Sequence, residues 1–220
     1  MKPIWKFRLL ALLFIVSVGA FSISNLASGL LRPDPAPLPS RDGISVAHLV
    51  ASAKLASDIA PFRTDLKAAY AIASADQALN SDHDGQASDN ERAQNAVKSA
   101  LRLGPHDSRM WLVLAQLQAW KNLGDPLVTE SLKMSYLTGP SRAELIPARL
   151  DSVTLGNSAK DADLSELARG DVRAILTRYP DQRQALVNDY VRASPVGKAF
   201  LEASTRMLDP AFADSLRSAK

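Results

Sequence analysis

The chain contains no cysteine among its 220 residues. This absence excludes disulfide bonds, thiol nucleophiles, cysteine-ligated zinc and a lipid-modified cysteine near the N-terminus. Aromatic residues are also scarce, at 6%, and alanine and leucine dominate over the β-branched residues. Because alanine and leucine favour helices while β-branched and aromatic residues favour strands, this balance predicts an all-α protein.

Acidic residues are absent from residues 1–32, which contain four basic residues. The remaining residues, 33–220, hold 22 basic and 23 acidic side chains. The overall charge of +3 therefore belongs to the N-terminal segment. A nucleic-acid-binding domain needs a basic surface of its own, so we expect no nucleic-acid partner.

An uncharged apolar stretch covers residues 9–31. Its length is enough for a helix to cross about 30 Å of hydrocarbon. Lys2, Lys6 and Arg8 come immediately before it, and basic residues stay on the cytoplasmic side of a membrane. We therefore predict a single-pass inner-membrane protein with residues 1–8 in the cytoplasm and the domain outside, which in a bacterium is the periplasm.

The alternative for this stretch is a cleaved signal peptide. The basic start fits it equally well, and Val18-Gly19-Ala20 is an acceptable cleavage signal of small residues. Apolar sequence continues beyond that signal, and only Asn25 interrupts its far end. The length therefore favours the uncleaved anchor, and both alternatives export the domain.

A proline-rich linker follows at residues 32–43. Its four prolines lie between Pro33 and Pro39, and such a density predicts an extended polyproline-like spacer that holds the domain away from the lipid. A short PxxP ligand is the functional alternative. The domain itself is expected to cover residues 44–220.

Beyond the linker, apolar residues recur at helical spacing and turn residues separate the helices. The breaks are Gly104-Pro105, Gly124-Asp125-Pro126 and Gly139-Pro140. Ser88 and Ser141 each precede a glutamate by three residues, which predicts a capping box at the start of a helix. The pattern indicates helices of about a dozen residues joined as hairpins.

One segment carries a more specific pattern of small and large residues around a proline. The pattern consists of Ala93, Val97, Ala100, Pro105, Trp111, Leu114 and Ala115. It resembles the tetratricopeptide repeat across the junction of two units. Small residues let two helices approach closely, large ones fill the gap, and proline separates the units.

The resemblance extends over about residues 61–140. Phe62, Leu66 and Tyr70 look like the first helix of a unit, and after a one-residue shift the pattern continues downstream. That continuation consists of Val128, Leu132, Ser135 and Pro140. Gln118 departs from the family where an aromatic is usual, and so does the polar break at 80–90. The alternative is an irregular helical bundle that places its alanines in a similar way.

The resemblance implies a scaffold whose concave face binds a protein or peptide, and it carries no catalytic residues. We therefore expect no enzyme activity. An envelope assembly for secretion or polysaccharide export is the setting that other anchored repeat proteins suggest. Trp120 is the candidate contact for the partner, because large aromatic residues that are not buried favour interfaces.

A candidate calcium loop lies between residues 80 and 91, where the spacing resembles an EF-hand loop. Asn80, Asp82 and Asp84 occupy the first, third and fifth ligand positions, and Glu91 occupies the closing bidentate position. Ca²⁺ is the one cofactor that the sequence suggests. The alternative is a solvated turn that ends in the capping box of Glu91, which explains the same glutamate without metal.

The other candidates for chemistry are weaker. His48, His83 and His106 lack zinc-site spacing, so we expect ordinary surface positions for all three. An envelope glycan hydrolase is the enzymatic alternative, and it needs two carboxylates in one pocket. The candidates for that pair are Glu130, Glu144 and Asp151.

Overall fold

A computed structural model describes residues 4–30, 38, 47–80 and 85–218. Eleven α-helices and three short 3-10 turns account for most of these residues, and no β-strand occurs among them. The predicted all-α fold class is therefore confirmed. The helices are α1 Ile4–Leu30, α2 Ala47–Ile59, α3 Thr64–Asn80, α4 Gln86–Leu103, α5 Ser108–Lys121, α6 Pro126–Thr138, α7 Ile146–Leu155, α8 Ala162–Thr177, α9 Arg183–Arg192, α10 Pro195–Arg206 and α11 Pro210–Ser218.

Helix α1 is the apolar N-terminal helix that the sequence predicts. Its segment Phe7–Leu30 has a mean hydropathy of 2.2, and its large apolar side chains are exposed rather than packed into the domain. By length and composition this helix is able to cross a membrane. Leu31, the last residue of the predicted span, lies outside the described residues.

The starts of several helices are set by side-chain caps. Asp107, Asp125, Asp161 and Ser194 each accept a hydrogen bond from a backbone amide in the first turn of the following helix. These bonds satisfy amides that have no partner within the helix. The breaks predicted at Gly104-Pro105 and Gly124-Asp125-Pro126 therefore lie where the sequence places them.

Two predicted capping boxes and one predicted helix start are wrong. Helix α4 already begins at Gln86, so Ser88 lies inside it and donates to the Gly85 carbonyl at 2.8 Å. Ser141 precedes a 3-10 turn that has no side-chain cap. Phe62 lies in the turn before α3 and is 86% exposed, so it takes no part in the first helical face of the resemblance.

The helices after α2 pack as successive hairpins with a regular neighbour relation. Helices α3 and α4 form one pair, and α5 and α6 form the next. The helices α3, α5, α7 and α9 each contact the next member of that series, while α6, α8 and α10 form a second series. This order is compatible with a helical repeat, in which each unit packs against its neighbours in the chain.

Two hydrophobic clusters form most of the core. The first joins α3, α4 and α5 and is rich in alanine, with Ala71, Ala75 and Ala93 fully buried. The second extends from α5 to α11 and is built from larger side chains such as Leu132, Leu150 and Ile175. Gln118, which departs from the resemblance, is buried between α5 and α6, where its oxygen accepts a hydrogen bond from Ser131.

Helix α1 and the domain are in direct contact. The sequence predicts a spacer between them, but α1 packs against α2. Within the linker, Leu38 is the one described residue, and it is partly buried against both hydrophobic clusters. The remaining linker residues lie outside the described part of the chain.

Candidate functional site

A groove of about 590 Å³ crosses α3, α5, α7 and α9, which are the first helices of successive hairpins. Its lining is mostly apolar and includes Leu79 of α3, Ala119 of α5 and Leu155 of α7. Pockets that bind ligands are typically of this size and mainly apolar, with a few polar groups. The groove is therefore the main candidate site among the described residues.

Trp120 lies in the wall of this groove near the end of α5. It is 40% exposed, so a large part of this side chain faces solvent. Trp111, which precedes it on the same helix, instead packs against the alanine-rich cluster and donates from Nε1 to the Pro105 carbonyl at 2.8 Å. The two tryptophans of α5 therefore divide into one structural residue and one residue available to a ligand.

The polar part of the groove is an ion-paired group of three side chains. Arg192 of α9 donates to Asp151 of α7 at 2.8 Å and to Asp189 of its own helix at 2.9 Å. The Arg192 side chain is 44% exposed, whereas those of Asp151 and Asp189 are 15% and 4% exposed. The arginine thus joins two helices and presents a charged surface on one side of an apolar groove.

A second polar group lies inside the core and supports the helices that carry the groove. Arg149 of α7 is fully buried, and it donates to the carbonyl oxygens of Ser135 and Gly139 near the end of α6. Its guanidinium carbon lies 4.7 Å from the centre of the Tyr136 ring. Because the last carbonyls of a helix have no partner within it, Arg149 acts as a buried C-terminal cap for α6.

Asp171 of α8 faces this arginine and the Tyr136 hydroxyl. Burial raises the pKa of Asp171 to about 6, although Tyr136 and Arg149 act in the opposite direction. Burial also raises the pKa of Tyr136 and lowers that of Arg149. Removal from water disfavours each charged form, which makes this cluster sensitive to pH.

Residues 80 and 85–91 of the predicted calcium loop are described. Asp82 and Asp84 lie outside the described residues. Asn80 is the last residue of α3, and its amide donates to Asp76 at 3.0 Å and 3.1 Å. Glu91 is exposed in α4. Calcium binding by this loop stays a prediction.

The acids named as a hydrolase pair line different parts of the surface. Asp151 lies in the main groove, while Glu130 lines a smaller cavity of about 360 Å³ beside Lys133 and Asp161. Glu144 is exposed and pairs with Arg142. Among the described residues, no group of three or more potential ligands of the His, Cys, Asp and Glu types has the arrangement of a metal site.

The expected surface position is confirmed for one of the three histidines. His106 is exposed in the turn between α4 and α5, as expected. His48 belongs to α2, and His83 lies outside the described residues.

Sequence reasoning missed two charged residues of the groove, Asp189 and Arg192. Their spacing of three on a helix is typical of a surface ion pair. Nothing in that spacing indicates that Asp151, 41 residues from Arg192, joins them.

Among known proteins, no family model matches the chain, and neither a curated protein nor a solved structure matches it.

Proposed function

We propose that this protein is a membrane-tethered scaffold that binds a protein partner in the groove formed by α3, α5, α7 and α9. The observation that carries the proposal is that the first helices of successive hairpins line one apolar groove containing the half-exposed Trp120. Helical arrays present concave surfaces of this kind to peptides and proteins. No enzymatic step is required for this role.

The tether in this proposal is α1, with its N-terminus in the cytoplasm and the domain in the periplasm. The uncharged segment Phe7–Leu30 supports membrane insertion. The basic residues before it, Lys2, Lys6 and Arg8, support the orientation. A secretion or polysaccharide-export assembly of the envelope is the setting that we propose for the scaffold.

The scaffold is proposed to be similar to tetratricopeptide repeats but with longer units. Helices α3, α5, α7 and α9 begin at residues 64, 108, 146 and 183. A unit therefore has about 40 residues, compared with about 34 in a tetratricopeptide repeat. The helices that line the groove alternate along the chain with helices that do not, which supports the similarity to tetratricopeptide repeats. The longer unit distinguishes this protein from a regular member of that family.

The groove favours a peptide segment with apolar side chains and a few polar groups. The space of about 590 Å³ admits several side chains rather than a folded domain. Trp120 offers a large aromatic surface, and residues of this type dominate the binding energy of many interfaces. The exposed guanidinium of Arg192 gives the same segment a partner for a carboxylate or a backbone carbonyl.

A photo-crosslinking amino acid at position 120 of the full chain, in native membranes, tests the proposal. Position 137 is the control, because Leu137 is 66% exposed on α6 and does not line the groove. We expect one protein to be crosslinked from position 120 and not from position 137. A crosslinker at position 116, which also lines the groove, should capture the same protein, and Trp120→Ala should abolish that product. Identical products from positions 120 and 137, or no product from position 120, would contradict a groove-binding scaffold.

The glycan hydrolase remains the second candidate because Asp151 and Asp189 converge in the groove. A glycosidase needs one carboxyl group that keeps a proton to donate. Both carboxylates instead accept hydrogen bonds from Arg192. Release of reducing ends from purified envelope glycan by the full chain, lost in Asp189→Asn, would favour this candidate over the scaffold.

The third candidate is a calcium-responsive module. It predicts that calcium binds the folded chain at the loop that begins at Asn80 and closes at Glu91, and raises its melting temperature. The matched variant is Glu91→Gln, which removes the closing ligand without changing the size of the side chain. No shift at millimolar calcium in the unsubstituted chain would exclude this module.

A further inference from the structure

The turn between α2 and α3 is fixed against the last turns of the anchor helix. Ser24 Oγ of α1 donates to the carbonyl of Ile59 at 2.7 Å, and Arg63 Nη1 donates to Ser28 Oγ at 3.4 Å. Ser24 and Ser28 are four residues apart, so they lie on one face of the helix. Two contacts on one face hold the turn beside α1.

The end of α1 therefore has two different faces. On the face towards the domain, Ser28 is fully buried and the amide of Asn25 donates to the Phe21 carbonyl at 2.9 Å. On the other face, Leu26 and Leu30 are 68% and 80% exposed. The polar residues that interrupt the apolar stretch are satisfied within α1 and by the domain, and the leucines remain free to contact lipid.

The depth of this contact follows from the geometry of a helix. With a rise of about 1.5 Å per residue, about 20 residues cross the roughly 30 Å of a bilayer's hydrocarbon. Counted from Phe7, where the apolar span begins, that thickness ends near Ala27. Ser24 and Ser28 are therefore expected at the outer boundary of the hydrocarbon, and the turn that they contact is expected at the same level.

Phe62 lies at this turn and is 86% exposed, more than any other large apolar residue of the described chain. A single exposed phenylalanine on a water-facing surface is ordinary. Phe62, however, lies three residues after Ile59, whose carbonyl is hydrogen-bonded to α1. The next residue, Arg63, pairs with Asp65 at 2.6 Å, and its side chain is 31% exposed. An apolar side chain beside a basic one is the combination that binds the boundary of headgroups and acyl chains.

We propose that the α2–α3 turn lies in the headgroup region of the bilayer that α1 crosses, with Phe62 inserted among the upper acyl chains. The lipid surface holds the domain down on the membrane, so the domain is not suspended at the end of a spacer. This inference rests on the proposed anchoring by α1. The occupant of the exposed Phe62 surface is the bilayer itself, because α1 brings lipid to this turn.

Site-directed spin labelling tests the inference, and the absence of cysteine makes every introduced label unique. The full chain carries Phe62→Cys, Ile15→Cys or Leu137→Cys and is reconstituted in vesicles of phosphatidylethanolamine and phosphatidylglycerol. Ile15 is 68% exposed in the middle of α1, and Leu137 is 66% exposed on α6, which packs against α5, α7 and α8. The three exposed sites tolerate a label without disturbing the core.

The measurement compares collisions of each nitroxide with oxygen, which concentrates in lipid, and with a water-soluble nickel chelate. We expect the oxygen-to-nickel ratio at Phe62 to exceed that at Leu137 several-fold and to approach that at Ile15. A high ratio at Ile15 with equal, low ratios at Phe62 and Leu137 would overturn the membrane contact while leaving the anchor intact. A low ratio at Ile15, or its loss by cleavage from the mature protein, would overturn the anchoring and this inference together.

Discussion

The alanine-rich hairpin α3–α4 and the C-terminal half of the domain, α6–α11, hold their helices together in different ways. In the hairpin, fully buried alanines such as Ala75 and Ala93 allow close packing of two helices. In the C-terminal half, larger residues fill the core, and buried polar side chains such as Arg149 tie one helix to the next. One chain thus uses both close packing of small residues and buried hydrogen bonds.

This difference bears on how each region responds to substitution. A core of small residues has no room for added atoms, because protein interiors are packed as densely as organic crystals. A core with buried polar groups is instead sensitive to the loss of a partner, since an unpaired buried group keeps its full cost of removal from water. The following predictions test this contrast on the full chain in detergent micelles.

Loss of the buried arginine should have the largest effect. Arg149→Ala leaves the Ser135 and Gly139 carbonyls without their partner and removes a buried side chain, so we expect the free energy of unfolding to fall by about 3–5 kcal/mol. The control is Arg173→Ala on the exposed face of α8, which should change it by less than about 0.5 kcal/mol. Chemical unfolding followed by far-UV circular dichroism measures both, and equal losses would contradict a special role for Arg149.

A methyl group at Gly197 should be the next most damaging change. The Cβ of Gly197→Ala would overlap the Thr154 carbonyl at the end of α7, and the Thr154 Cα would lie 2.8 Å away. We expect a loss of about 3 kcal/mol, because backbone cannot move aside as a side chain can. Gly170→Ala, an exposed helical position where nothing lies within 4 Å, should instead gain about 0.5–1 kcal/mol. A thermal melt in which both variants shift in the same direction would refute the close approach of α10 and α7.

The alanine-rich hairpin should resist enlargement rather than loss. Ala93→Leu adds three carbons at a fully buried position, and we expect it to cost about 1–3 kcal/mol. Ala87→Leu, on the exposed side of the same helix, is the matched control and should be nearly neutral. Unfolding curves that show no difference between these two variants would mean that the hairpin is loosely packed.

The smallest effect expected is a dependence on pH at Asp171. Its pKa in the folded protein, about 6, lies above the ordinary value of 3.8, so the folded state binds this proton more tightly than the unfolded state. The contribution of Asp171 to stability is therefore full below about pH 4 and is lost as the pH rises through 6. Relative to Asp171→Asn, the unsubstituted chain should lose about 1 kcal/mol between pH 5 and pH 7. A constant difference between the two chains over this range would contradict the burial of Asp171.

Features with a local signal were predictable from the sequence. The end of α4 at Gly104-Pro105 and the caps Asp107 and Asp125 depend on residues next to them in the chain. The alternation of small and large residues from Ala93 to Ala115 likewise indicates which side chains pack between neighbouring helices. The all-α class and the hairpins follow from these signals.

Features that depend on distant partners were not predictable. An arginine in a helix usually lies on the exposed face. Only the position of the α6 carbonyls explains why Arg149 is buried. Ser88 has the spacing of a cap, but helix α4 extends two residues before it, where Gln86 donates to the Ala78 carbonyl of α3 at 3.3 Å. The groove likewise arises from four helices that are far apart in the chain, and Trp120 was the only one of its residues proposed as a partner contact.

Helix α11 is the last of the described helices and packs on α10, and its Ala213 and Leu216 are fully buried. Arg217 binds Glu202 of α10 on the outside of this last helix, which gives the end of the array a charged surface. An apolar layer left open at this end would match the same layer of another copy, and the two copies would close into a dimer. By covering that layer, α11 removes this route to self-association at the end of the described helices.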